Sequence, residues 1–242
     1  MKNLIYVFSF LSLYCITAVA SEQKLVFSGI QGAVNSDISF KVLQEAYKAL
    51  DINIEYFPLP GERSLQTSNA GKVDGEIFRI GNIQRKYHNL IQVPTAINIL
   101  EGVAYSHDPS LTIKHWKDLE GIKTGIQVGI KFAEKGTRGM SPTMVDTNEQ
   151  LFKMLDSNRI EIAIVALTNG MKTIKNLQLN GLYASYPPIQ SFPLYHYLHK
   201  KNKKLIDRLD AVLQEMKKSG RIMQIRNDIL NIYRPLEDGQ TP

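Results

Sequence analysis

Three basic side chains stand where a small anion could be held. Arg79 closes the run Glu76-Ile-Phe-Arg at the end of an expected strand, and Arg63 follows Pro60-Gly-Glu62 in the loop after an earlier one. Lys131 follows Gly129-Ile130 at the opening of an expected helix. A guanidinium presents its donors as a planar fork and meets a carboxylate or phosphate in bidentate fashion. Backbone amides at a helix start can hold an anion whatever the side chains, which puts Gly129 beside Lys131. The competing reading of each arginine is an ion pair with Glu62 or Glu76, and of Lys131 a side chain in water. Arg85 reads as a solvated loop residue. Phe78 and Tyr105 are strand-end aromatics able to stack on a small molecule. Gln127, Ala166, Thr168 and Asn169 fall at or just after strand ends.

Other chemistries find less support. Catalysis needs a placed acid or base, which Glu62, Glu76 or His88 could supply. No nucleophile, base and orienting group come together, and no Gly-x-Ser-x-Gly occurs. Of the five histidines, His196 and His199 sit three apart on an expected strand, which turns them to opposite faces rather than onto one metal. The basic C-terminal segment, from Lys200 to Arg226, carries most of its charges off the apolar stripe and reads as a solvated helix face rather than a nucleic-acid surface. The expectation is therefore no catalytic residue, no metal, no cofactor and no nucleic acid.

The elements that must position these residues alternate. Lys24–Ile30 reads as a buried strand, a helix follows over about 37–50 with Ser36 as its cap, and residues 51–58 alternate as a second strand. A short helix over 63–69 leads to a turn and strand over 71–80. The pattern then restarts with strands at 100–106 and 123–128 and a helix opening at Gly129. A capping-box helix follows at Thr147–Leu155, and then a strand at 160–166. A last strand at 194–198 leads into helices over 203–218 and 221–232. Strand–helix alternation argues for mainly parallel sheets flanked by helices, and its repetition for two similar lobes.

The N-terminus carries a secretory pattern: Lys2, an apolar stretch from Leu4 to Thr17, and Ala18-Val19-Ala20 as a small-x-small cleavage site. The only cysteine, Cys15, lies inside it behind the bulky Tyr14, which argues against lipid attachment. Cleavage after Ala20 leaves a cysteine-free chain. With no later run of the ~20 apolar residues needed to span a bilayer, an exported periplasmic protein is expected, monomeric and without stable membrane insertion.

The order and spacing of several short pieces resemble the bacterial extracellular solute-binding proteins of family 3, the amino-acid-type periplasmic binding proteins. These pieces are Gly71-Lys-Val-Asp-Gly75, Trp116-Lys-Asp-Leu-Glu-Gly121 with Gly125 and Gly129, Asn148-Glu-Gln-Leu-Phe-Lys-Met-Leu155 leading to Arg159-Ile-Glu-Ile-Ala-Ile164, and Tyr197-Leu-His-Lys-Lys201. The resemblance implies an α/β clamshell of the type II periplasmic binding fold, two lobes joined by two crossing segments. Behind a signal peptide at 1–20, lobe 1 would be 21–104 plus 196–242 and lobe 2 would be 105–195. It implies a small-molecule ligand in the interlobe cleft, handed to an inner-membrane ABC permease. A ligand sensor or scaffold without a transporter is the alternative, or a dehydratase-like enzyme on the same fold. The ligand contacts it implies are Arg79, Arg63, Glu62, Phe78, Tyr105, Gly129, Lys131, Ala166 and Asn169. Relatives that bind amino acids carry an acid where this chain has Ala166, so a standard α-amino acid fits poorly. The expected ligand is small and polar, anionic or amino-acid-like. Arg79→Ala is expected to reduce affinity without unfolding the chain.

Overall fold

The structure is a computed structural model that describes residues 24–233. The leader, Cys15 and the cleavage site expected after Ala20 lie outside the described residues. In chain order the elements are β1 (Lys24–Ile30), α1 (Val34–Lys48), β2 (Asn53–Leu59), α2 (Gly61–Asn69), β3 (Gly75–Ile80), β4 (Leu90–Ser106), β5 (Thr124–Gln127), α3 (Lys131–Gly136), β6 (Thr143–Val145), α4 (Asn148–Asp156), β7 (Ile162–Ala166), α5 (Leu167–Leu177), β8 (Tyr183–Ala184), β9 (Gln190–His199), α6 (Ile206–Lys218) and α7 (Arg221–Asn231).

The strands run in the order β2-β1-β3-β9-β4-β7-β5-β6, with β8 against β4. The path reads the same from either end. β2, β1 and β3 are parallel and meet an antiparallel β9; β6, β5 and β7 are parallel and meet an antiparallel β4. The two halves join through the antiparallel pair β4–β9, registered from Leu90 opposite His199 to Gly102 opposite Gln190. Around one end lies a core of Phe27, Leu43, Tyr47, Ile77, Ile97, Leu198 and Leu213. Around the other end, the two faces of the sheet carry separate cores, one with Val103, Phe152 and Val165, the other with Ala104, Ile126 and Ile164. The core changes between Ile97 and Val103 on β4, and between Ile189, just before β9, and Leu194 on it.

Several elements differ from expectation, each for a physical reason. Helix α1 starts at Val34, with Ala33 as its N-cap. Ser36, expected as the cap, lies inside the first turn and donates its hydroxyl to the Ile30 carbonyl at 2.7 Å, fastening α1 to the end of β1. Strand β4 begins ten residues early because its ladder is irregular between Gln92 and Asn98, which lets it absorb Pro94. The residues after Ala166, to which the sequence pattern assigns no element, form α5. Its Leu167, Met171 and Ile174 keep helical spacing and pack on the second-half core. Gly170 of that helix is required by packing: a Cβ there would come within 2.2 Å of the Tyr105 ring.

His196 is a fully buried titratable group beside the first core. Its Nδ1 donates to the Glu76 carbonyl at 2.8 Å, and its Nε2 then accepts from Tyr47 Oη at 3.0 Å. Burial pushes its pKa down to about 4. Between the ordinary histidine value and about 4, the unfolded chain binds a proton that the folded one does not. Stability is therefore fully present above pH ~6.5 and falls by about 1.4 kcal/mol per pH unit on acidification, levelling off below about 4. Denaturation midpoints measured across this window should give a shallower pH slope for His196→Gln than for the parent. Equal slopes would contradict the assignment.

Candidate functional site

A cavity of about 500 Å³ opens between the two halves of the sheet. The first half contributes Ile30, Ala33, Asn35, Phe78 and Ile80; the second contributes Gly129, Ile130, Lys131, Phe132, Lys135, Val165, Ala166 and Asn169. Leu100, Gln190 and Phe192, from the crossing strands β4 and β9, form its floor. The floor depends on Gly102. A Cβ at that position would lie 2.5 Å from the Phe132 ring, so glycine lets Phe132 settle on β4 beside Phe192, centroids 6.2 Å apart. Trp116, the single tryptophan, packs behind Phe132 at 6.4 Å.

Electrostatically the cavity favours negative charge. Helices α1 and α5 begin at its wall, with Ala33 and Ala166 as N-caps that supply no side-chain cap hydrogen bond. Lys131 and Lys135 border it, and among the described residues no Asp or Glu lines it. Lys131 is held at 2.8 Å by Glu134, whose other carboxylate oxygen accepts from the Gly129 amide at 2.6 Å. Those hydrogen bonds, from Lys131 first and then from Gly129, hold the Glu134 carboxyl below its ordinary value. A second hollow of about 510 Å³ continues past Ala33 and Asn169. It is crossed by Lys172 of α5, which donates to the Gly32 carbonyl at 2.7 Å.

Of the residues expected from sequence, Phe78, Gly129, Lys131, Ala166 and Asn169 meet on this cavity. The other four lie elsewhere. Tyr105 is 2% exposed and donates to the Leu167 carbonyl at 3.0 Å; burial raises its pKa. Arg63 is exposed on α2. Glu62 accepts from Tyr87 Oη at 2.7 Å and Lys86 at 3.2 Å, which together hold its carboxyl low.

Arg79 is held by a buried acid. Its Nε meets Glu76 Oε1 at 2.8 Å and its Nη2 meets the same oxygen at 2.6 Å, while Nη2 also donates to the Gly61 carbonyl at 2.7 Å. Glu76 is fully buried, and the hydroxyls of Ser28, Ser64 and Ser68 lie 2.6–2.9 Å from its Oε2. Residues three apart on a regular strand face opposite ways, but a bulge in the β3–β9 ladder between Glu76 and Arg79 turns both to one side. The arginine thus ties the end of β3 to the start of α2.

The cavity residues that the sequence left unnamed are mostly apolar, chiefly Ile80, Leu100, Ile130, Phe132 and Phe192. Ile130 and Phe132 flank Lys131 and could have been found by extending from Lys131 by one residue each way. Leu100 and Phe192 are cross-strand partners whose register only the fold reveals.

No family model matches the sequence. Structures of known proteins do align along most of it. The L-cystine solute receptor of Neisseria gonorrhoeae, in its unliganded open conformation, aligns with a TM-score of 0.68 at 15% identity, over 87% of this chain and 94% of that one. The fold is that of the two-lobe periplasmic binding proteins. An amino acid ABC transporter substrate-binding protein of Streptococcus pneumoniae, bound to L-arginine, aligns with a TM-score of 0.64 at 18% identity, covering 90% and 99%. A histidine kinase sensor domain similar to periplasmic binding proteins gives 0.63 at 16%, covering 86% and 97%. In sequence the chain is 27% identical to an uncharacterized protein of Shewanella oneidensis over 190 residues, 74% of this chain and 70% of that one.

Removing Arg79 would leave the Glu76 carboxylate buried and without its cation, a loss worth roughly 3–5 kcal/mol. Arg79→Ala should therefore lower the urea midpoint strongly, in place of the affinity loss without unfolding that the sequence suggested. A loss under ~1 kcal/mol would show that the pair does not hold the fold.

Proposed function

We propose that this chain is a periplasmic solute-binding protein without a catalytic step, capturing a small anionic ligand between its lobes. The observation that carries the reading is the cavity itself, with walls from both halves, two helix starts and two lysines on them, and no lining carboxylate among the described residues. Open α/β sheets bind small molecules beyond the carboxyl ends of their strands, where Gly129 and Ala166 lie after β5 and at the end of β7. The proposed lobes are 21–104 plus 196–242 and 105–195; the change of core along β4 and β9 supports two crossings but sets each a few residues earlier, before Val103 on β4 and before Leu194 on β9. Bending of those two strands opens and closes the cleft. Phe78, Gly129, Lys131, Ala166 and Asn169 are the proposed contacts.

Delivery to an inner-membrane ABC permease is the proposed destination, supported by the likeness to transporter-associated binding proteins. The sensor-domain likeness favours a second reading, in which ligand binding is reported to a membrane partner instead. Both readings rest on the secretory pattern at 1–20.

A thermal-shift screen of amino acids, carboxylates, polyamines and sugars tests capture. A ligand at a hundred times its dissociation constant adds about 2.7 kcal/mol, a clear rise in melting temperature. Asn169→Ala should reduce that rise with little change in the unliganded melting temperature. A rise unaffected by Asn169→Ala and by Phe132→Ala would place the ligand outside the cleft.

A further inference from the structure

Granting the cleft reading, we propose that the cavity selects an amphipathic monoanion, an aromatic or branched aliphatic carboxylic acid lacking an ammonium group, and discriminates against free α-amino acids. The argument is a balance of surface and charge. Phe78, Phe132, Phe192 and Leu100 give the cavity an apolar floor and side, which rewards burial of a hydrocarbon body. Among the described residues its charged lining is Lys131 and Lys135. Lys131 shares its charge with Glu134, while Lys135 makes no ion pair among the described residues.

An ammonium group brought into this space would lose water without gaining a carboxylate. The acids adjoining the lining in sequence already have partners. Glu134, next to Lys135, holds Lys131 and the Gly129 amide, and Glu101, next to Leu100, is paired with the buried Arg226. A carboxylate, by contrast, meets a net positive wall. One anionic end and an apolar body are the two features the lining rewards together.

The test is calorimetric titration of the full chain with four probes sharing parts of one skeleton: 3-phenylpropionate, phenylalanine, 2-phenylethylamine and acetate. The expected result is binding of 3-phenylpropionate, with phenylalanine weaker by about 10-fold or more and no detectable binding of the other two. Phenylalanine binding as tightly as 3-phenylpropionate, or no binding of 3-phenylpropionate, would overturn the proposal. Ala166→Asp puts a carboxylate on the wall and should shift the preference toward phenylalanine by a similar factor. Lys135→Glu, at an exposed side chain, gives the same direction should Ala166→Asp fail to fold. Parental preference for phenylalanine that still responds to these substitutions overturns the ligand class and leaves the cleft standing. A preference that responds to neither places binding elsewhere and overturns both.

Discussion

The antiparallel pairing of β4 with β9 is the constraint on which the rest of the molecule depends. Among the described residues these two strands are the sheet's link between the halves, and they carry the first core at one end and the second at the other. They also make the cavity floor, since Leu100 and Phe192 are cross-strand partners. Helix α7 braces the same stretch. Arg226, 3% exposed, donates to Asn98 Oδ1 at 2.9 Å and the Ile99 carbonyl at 3.1 Å and pairs with Glu101. Asn98 in turn donates to Ser39 and Asn35 of α1. A change of angle between the halves must pass through a strand segment whose polar groups are nearly all committed. Such a segment moves between discrete arrangements more readily than it deforms gradually.

Two arginines serve acids of the protein itself rather than a ligand. Arg79 and Arg226 each compensate a carboxylate at the edge of a core, Glu76 and Glu101 respectively, and each ties one element to another. With those cations committed, the positive character of the cleft comes from weaker sources: helix starts at Ala33 and Ala166 and the lysines of α3. Uncapped starts also occur at α2 and α6, so what matters is that two of them converge on one cavity rather than that they lack caps. The cleft is thus mildly positive and largely apolar, in contrast to a densely charged anion trap.

Much of the fold was legible in the sequence because alternating strands and helices leave a periodic apolar pattern. The restart after residue 100 marks the second half, and glycine at 129 marks the turn after β5. Five of nine site residues lie on the cavity because strand ends and helix starts in this architecture converge there. The failures share a cause. The bulge that turns Arg79 onto Glu76 leaves no mark in Glu-Ile-Phe-Arg, and the register that sets Leu100 against Phe192 joins residues 92 positions apart. Tyr105 looked like a strand-end aromatic, but α5, unrecognised behind Ala166, covers it through Gly170. Local pattern places elements well and long-range pairing poorly: the Arg79–Glu76 pair is local and is one of the two readings open for that arginine, whereas Arg226 on Glu101 is long-range.

The central claim is that one ligand touches both halves of the cleft at once. Amide hydrogen exchange, measured with and without a bound ligand, tests it most directly. The account predicts that exchange slows together at residues 30–35 of the first half and at 129–135 and 166–169 of the second. Protection confined to one half, or appearing away from all three segments, would contradict it.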